Sequence, residues 1–279
     1  MTLAQLLAQA QKEQLRLEME LFLSHLLGKS RLDLIAHSDE ELPVEHLGAI
    51  QKGWTQLKAA MPVAYLTHEK EFFGLSFYVD ERVLIPRPCT EQLVEWALEL
   101  EGQGRLKESK VLEIGTGSGA IAVALKKSCP RLQIWATDLS EGALEVASKN
   151  CVQNEVEISL FCSDLLSQVP EQDFDLLLAN LPYIGTEMHA FVQESVAKYE
   201  PSMALFSGQD GLDLYRRLFA QIQERAHSFP LILGEIGFSQ GEAVRALAAE
   251  LLPHYVFHLR RDLEGLDRHF LLERKADFC

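Results

Sequence analysis

Apolar residues recur at helical spacing through the first part of the chain: Leu3, Leu6, Leu7 and Ala10, then Leu15, Met19, Phe22 and Leu26. Gly28 is placed to stop the second of these helices. A further helical stretch after Pro43 puts Leu47, Ile50, Trp54 and Leu57 on one face. Residues 1–70 are therefore expected to form a small N-terminal helical bundle. Between 71 and 80 the pattern changes. Aromatic residues flank Gly74, as in two short strands around a turn, so residues 71–85 are expected to be a β-hairpin linker. Pro86 and Pro88 then set an extended path. Cys89 or Thr90 can start the helix that carries Leu93, Val94, Trp96, Ala97 and Leu100.

From residue 110 strand and helix alternate. Short apolar runs at 111–114, 132–137, 158–161, 174–179 and 231–233 predict five strands, and Phe257 and residues 270–272 supply two more. Helices are expected from Ser118 to Leu125 and from Ser140 to about Asn150. Leu176, Leu177 and Leu178 follow one another without polar alternation, as in a strand buried on both faces. This order predicts an α/β fold, a mostly parallel sheet covered on both sides, in a domain spanning 86–279.

Composition narrows the classes. Of 279 residues 47% are hydrophobic, which supports a real core and excludes disorder by composition. A formal charge of -15, from 41 acidic and 26 basic residues, is a poor basis for gripping nucleic acid through phosphates; it reads as solubility, and no direct nucleic-acid binding is expected. Cys89, Cys129, Cys151, Cys162 and Cys279 form no Cys-x-x-Cys pair, and the nine histidines show no ligand spacing. Neither a disulfide framework nor a metal site is expected, and a reducing compartment is. The N-terminus has no basic stretch followed by an apolar run, and nothing approaches the roughly 20 apolar residues that span a bilayer. A cytoplasmic, soluble monomer is the expectation.

Two segments carry candidate chemistry. Glu113-Ile114-Gly115-Thr116-Gly117-Ser118-Gly119 sits where the first strand of the alternating region meets its helix, the end of a parallel sheet at which ligands bind. Gly115, Gly117 and Ala120 also satisfy the looser dinucleotide fingerprint, and Asp138 ends the second strand where it could accept from ribose hydroxyls. The loop alone suits NAD and S-adenosylmethionine equally. Glu113, two residues ahead of the glycines, makes the segment resemble the first motif of class I methyltransferases. In that fold the position after strand three borders the adenine. Asp164 could take its amino group there, and Leu165 could pack on the ring.

Asn180-Leu181-Pro182-Tyr183 follows the fourth strand directly. It resembles the (D/N/S)-(P/L/I)-P-(Y/F) motif of amino-group methyltransferases. A planar amide or amino nitrogen is a poor nucleophile because its lone pair is delocalised. Its two N–H groups can donate to the Asn180 side-chain oxygen and to the Leu181 carbonyl, which favours a pyramidal nitrogen aimed at the methyl. Tyr183 offers a flat surface for stacking, and Pro182 stiffens the turn. A plain turn after a strand remains the alternative reading of these four residues alone.

The motif does not separate adenine from glutamine. Other segments do, by resemblance to the HemK/PrmC family of protein-(glutamine-N5) methyltransferases. They are Pro62-Val-Ala-Tyr-Leu-Thr67, Glu71-Phe72-Phe73, Leu84-Ile-Pro-Arg-Pro88 with Thr90-Glu91, Glu200-Pro201 with Ala204-Leu205, Gly208-Gln-Asp210-Gly211 with Tyr215-Arg216-Arg217, Gly234-Glu235-Ile236-Gly237 with Gln240-Gly241, and Asp262 through Arg268. The resemblance implies a class I, Rossmann-like domain with a mixed seven-stranded sheet. It implies S-adenosylmethionine as cofactor, S-adenosylhomocysteine as product, and class I peptide chain release factors as partner. The acceptor would be the glutamine of their Gly-Gly-Gln loop, with the bundle helping to hold the factor and Arg87 among the substrate-binding residues. The glycine loop, including Thr116 and Ser118, would hold the cofactor with Asp138, Asp164, Leu165 and Asn180. Two positions depart from the family pattern. Leu181 stands where proline is usual, and Cys89 stands where an acid is usual. An RNA adenine methyltransferase is the main rival, because Asn-Leu-Pro-Tyr occurs in such enzymes, but those tend to be basic and carry their extra domain last.

Overall fold

In the computed structural model, which describes residues 1–225 and 229–275, the N-terminal periodicity becomes helices. These are α1 (Leu3–Lys12), α2 (Arg16–Leu27), α3 (Arg31–Ala36), α4 (Leu47–Lys58) and α5 (Val63–Thr67). The first begins in a capping box, Thr2 accepting from the Gln5 amide while the Gln5 side chain accepts from the Thr2 amide. Leu3, Leu6, Leu7 and Ala10 turn inward onto Met19, Phe22, Leu23, Ile50 and Leu57. Glu20 is buried in this bundle between Arg16 at 2.8 Å and Arg31 at 2.7 Å. Against the cost of burial, hydrogen bonds from Arg31 and Arg16 hold its carboxyl below the usual range. The short α3 and α5 escape a reading by periodicity, because five or six residues give less than two turns.

The expected hairpin is present as β1 (Lys70–Phe72) and β2 (Leu75–Phe77), antiparallel, with Phe73 and Gly74 both at positive φ in a two-residue turn. After a 3-10 turn at Pro88–Thr90 the chain runs through α6 (Glu91–Gly102), β3 (Lys110–Ile114), α7 (Ala120–Ser128), β4 (Gln133–Asp138), α8 (Glu141–Gln153), β5 (Ser159–Cys162) and β6 (Leu176–Ala179). It continues through α9 (Glu194–Tyr199), α10 (Asp213–Glu224), β7 (Leu231–Glu235), α11 (Gly241–Leu251), β8 (Tyr255–Arg261) and β9 (Asp267–Arg274). Cys279 lies outside the described residues.

Seven strands form one mixed sheet in the order β5-β4-β3-β6-β7-β9-β8, parallel except for β9, which runs antiparallel to both neighbours. Side-chain alternation sends Val111, Leu176 and Leu178 into a core with α6 and α7, and Leu112, Leu177 and Ala179 into a core with α10 and α11. Every residue of β6 is buried, as a central strand covered on both faces requires. The chain leaves β3 for β4 on one side and later returns to β6 on the other. The carboxyl ends of β3, β4 and β6 therefore surround the crevice where such sheets bind ligands.

Two compact units result. One is Met1–Glu69 with Gln193–Tyr199; the other is Lys70–Val192 with the chain from Glu200 onward. Within the first, Lys198 Nζ and Tyr199 OH of α9 both donate to the Ala59 carbonyl, at 3.0 and 2.8 Å. Among the described residues no helix is long and apolar enough to cross a membrane.

Candidate active site

A cavity opens at these strand ends. Its wall includes residues 113–118, 138–140, 163–165 and 180–182, with Arg87, Thr90 and Arg217. The loop after β3 is shaped by left-handed backbone at Gly115 (φ +73) and Gly117 (φ +55), conformations that a Cβ penalises. Both the Gly115 and Thr116 amides donate to the Thr137 carbonyl, at 2.8 and 2.9 Å, which ties the loop to β4. The Gly117 amide donates to Asp138 Oδ2 at 2.9 Å, and the Ser140 amide to its Oδ1 at 2.9 Å. Burial raises the Asp138 carboxyl above its ordinary range, against those backbone donors. A Cβ placed on Gly117 would meet nothing within 4 Å, so the backbone here faces open space. Gly119 has a different task from the one expected of it. It is outside the cavity wall, and a Cβ there would stand 3.2 Å from the Ala147 Cβ, so its missing side chain lets α7 start close against α8.

Glu113 is buried at the base of the loop and accepts from Thr116 Oγ1 at 2.8 Å. Burial pushes its carboxyl from about 4.5 up to about 8. Asp164 lines the cavity, but its carboxylate pairs with Arg217 at 2.7 Å, a partner on α10 that its own segment does not reveal. Leu165 is buried and in the wall, at positive φ, with its carbonyl receiving the Ser163 hydroxyl at 2.7 Å.

Opposite this half lies the loop after β6. Asn180 Nδ2 donates to the buried Thr90 hydroxyl at 3.3 Å, which leaves Oδ1 as the acceptor atom. Leu181 is buried, with Cδ2 3.3 Å from where a Gly115 Cβ would stand, so its side chain locks the two loops together. Among the described residues no donor reaches the Leu181 carbonyl oxygen. Tyr183 is absent from the wall that a stacking role requires. It is half-buried, and its hydroxyl donates to Glu235 Oε1 at 3.2 Å; burial raises this phenol further above its ordinary range. Arg87 is in the wall and paired at 2.5 Å with buried Glu200, which also accepts from the Ile85 amide at 3.1 Å. Cys89 is half-buried, its Sγ 4.0 Å from Glu235 Oε1; burial pushes its thiol up.

Several supports of this loop had no role in the sequence reading. Gln240 Nε2 donates to the carbonyls of Tyr183 and Asp210, both at 2.8 Å, while its Oε1 accepts from the Gly237 amide at 2.8 Å. Tyr215 OH lies between the carbonyls of Ala179 at 3.0 Å and Glu235 at 2.6 Å, clamping β6 to β7. The helical period of Tyr215, Leu218, Phe219 and Ile222 was the available signal for α10. Among these supports Thr90 has the most direct test. Thr90→Val removes the acceptor that orients the Asn180 amide and is expected to lower kcat about tenfold, with cofactor affinity unchanged, in steady-state kinetics and cofactor titration.

A catalyst that moves a methyl group must bring a sulfonium donor and a nucleophilic atom onto one line. Here adjacent strand ends place the open Gly117 backbone and the Asp138 carboxylate on one side of the cavity and the Asn180 side chain on the other. That division of labour defines a class I methyltransferase. Solved structures share the fold, among them a hMettl16 catalytic domain in complex with an RNA hairpin of the MAT2A 3'UTR (TM-score 0.59, 16% identity, 79% of this chain and 82% of that one). A methyltransferase from Pyrococcus furiosus does too (TM-score 0.51, 19% identity, 81% and 98%). Two family descriptions match, the PrmC N-terminal domain over residues 2–67 and the methyltransferase small domain over 92–202. The release factor glutamine methyltransferase of Enterococcus faecalis is 37% identical over 88% of both chains, and that of Bordetella pertussis 38% identical over 91% of this chain and 93% of its own. The chain belongs to the release factor glutamine methyltransferase family.

Proposed function

We propose that this enzyme transfers the methyl of S-adenosylmethionine to the side-chain amide nitrogen of the glutamine in the Gly-Gly-Gln loop of class I release factors, in the cytoplasm and without binding nucleic acid directly. The observation that carries the site reading is the pairing of Asn180 with Thr90, which presents Oδ1 beside an unengaged Leu181 carbonyl. Two acceptors fit the two N–H groups of a primary amide. The leucine in place of proline keeps the carbonyl this needs. The open backbone face at Gly117, the Asp138 carboxylate and the cavity wall at Leu165 fit an adenosyl group. The bound cofactor supplies an electrophilic methyl on a cationic sulfur. The chain's own residues align the nitrogen and hold its protons, so that the rate comes from orientation and local electrostatics. Tyr183 is assigned to bracing this loop through Glu235 in place of stacking on the acceptor. Residues 1–70 are assigned to holding the release factor, 71–85 to the linker, 86–279 to catalysis, and the enzyme acts as a monomer.

The test is methyl transfer from labelled cofactor to purified release factor, with the modified peptide read by mass spectrometry. Label on the Gly-Gly-Gln glutamine is expected. Label on ribosomal RNA and none on protein would overturn the proposal in favour of the adenine reading.

Glu113 adds a second test. Between about pH 4.5 and 8 the folded, cofactor-free chain keeps a proton that the unfolded chain has lost. The stability this carboxyl contributes is therefore present below 4.5 and lost as pH rises to 8. A cation bound in the adjoining cavity favours the carboxylate. Cofactor binding near pH 7 is thus expected to release a proton, measured as a calorimetric heat that varies with the buffer's ionisation enthalpy. Glu113→Gln should abolish that variation.

A further inference from the structure

Glu235 ends β7, and His269 stands directly across from it on β9 as its register partner. The two side chains are sealed from solvent, at 1% and 0% exposure. Glu235 Oε1 receives the Tyr183 hydroxyl at 3.2 Å. Its Oε2 has no hydrogen-bond partner among the described residues, and neither ring nitrogen of His269 has one. The closest approach between these orphaned atoms is Nε2 to Oε2, 3.6 Å. Four other groups face the pair. Cys89 comes from the 3-10 turn and Tyr183 from the acceptor loop. Tyr215 of α10 donates to the Glu235 backbone at 2.6 Å. Arg268 of β9 donates to Asp262 at 3.1 Å and to the Ile236 carbonyl at 3.3 Å, and its positive charge also acts on Glu235, Tyr183 and Cys89.

A dry core penalises each unsatisfied polar group, and an uncompensated charge more heavily still. One proton shared between imidazole and carboxylate satisfies Nε2 and Oε2 together. It needs a side-chain movement of roughly 0.7 Å to reach hydrogen-bond length. Cys89 suits this arrangement. Its thiol lies 4.0 Å from Glu235 Oε1 and is pushed up by burial, so it adds no second negative charge beside that carboxylate. We propose that His269 is a positioning residue for methyl transfer. Through a proton shared with Glu235 it fixes the carboxylate that receives the Tyr183 hydroxyl. In that way it fixes the loop carrying Asn180 and the Leu181 carbonyl. The inference rests on the reading of those two groups as the acceptor grip.

A double-mutant cycle between His269 and Tyr183, with kcat on release factor and cofactor affinity measured for each variant, tests it. His269→Phe keeps a ring of similar volume without a donor. It should lower kcat about tenfold with cofactor affinity within about twofold, while His269→Gln, which keeps an N–H, recovers most of the rate. In the Tyr183→Phe background His269→Phe should lower kcat by less than about a further twofold. If His269→Phe fails to bind cofactor, His269→Leu takes its place in the cycle. Wild-type kcat in the donorless variant, equal impairment by glutamine, or additive losses in the double variant each overturn the role. Turnover retained by Asn180→Ala would overturn the grip and the inference with it. An inactive Asn180→Ala beside additive losses overturns the inference alone.

Discussion

Asn180→Ala is expected to lower turnover about a thousandfold and to leave cofactor affinity within about threefold. The size follows from what one side chain does. An amide nitrogen has no usable lone pair while it stays conjugated, and in the proposed grip Oδ1 holds one of its two protons in the geometry that frees the pair. Thr90 fixes which atom of the Asn180 amide faces the acceptor. Truncation to alanine removes the acceptor oxygen but spares the hydrogen bonds of the Gly115 amide to the Thr137 carbonyl and of the Gly117 amide to Asp138. Single-turnover kinetics and cofactor titration separate the two effects. Asn180→Asp keeps an acceptor oxygen but loses the donation to Thr90, and should fall between wild type and alanine. Turnover near wild type in the alanine variant would remove Asn180 from the chemistry.

Gly211→Ala is the second large effect. This glycine sits at φ +81, and a Cβ there would overlap the Tyr183 carbonyl oxygen and crowd Gln240 Nε2 at 2.6 Å. Gln240 and the Tyr183 carbonyl are hydrogen-bonded to each other, so the methyl group cannot be accommodated without shifting the acceptor loop. Left-handed alanine adds about 1 kcal/mol of strain before any clash is counted. The expected outcome is a loss of kcat of about a hundredfold, with Tm lower by several degrees and cofactor affinity preserved. Circular dichroism melts, cofactor titration and turnover measured on one preparation check all three. A normal kcat would mean that the Tyr183 backbone is not needed where it stands.

How far these features were legible depends on the distance over which they act. Gly115 and Gly117 were readable because a tight loop imposes its own backbone requirement locally. Asn180 was readable because it directly follows a strand with no polar residue at 176–179. Ser140 was readable as a helix start, and its hydroxyl does accept from the Ala143 amide. Thr90, Glu235, His269 and Gln240 were not readable as a group. They meet their partners across 34 to 146 residues of chain, at contacts that only the strand order creates. Asp164 shows both sides. Its place in the wall followed from the fold, but its pairing with Arg217, 53 residues away, did not. Gly119 was readable as an obligatory glycine but not for its reason, because Ala147 belongs to the next helix.

The return of Gln193–Tyr199 to the helical unit bears on how this protein can be taken apart. A cut after Glu69 severs the chain once, yet the unit it would release is assembled from two separate stretches of sequence. The excised piece would lose the α9 donors that satisfy the Ala59 carbonyl. Swapping the helical unit between relatives therefore requires two grafts, and the second lies within the sequence of the other unit. Recombination at a single crossover would separate what the fold joins, so the two halves are expected to be inherited together.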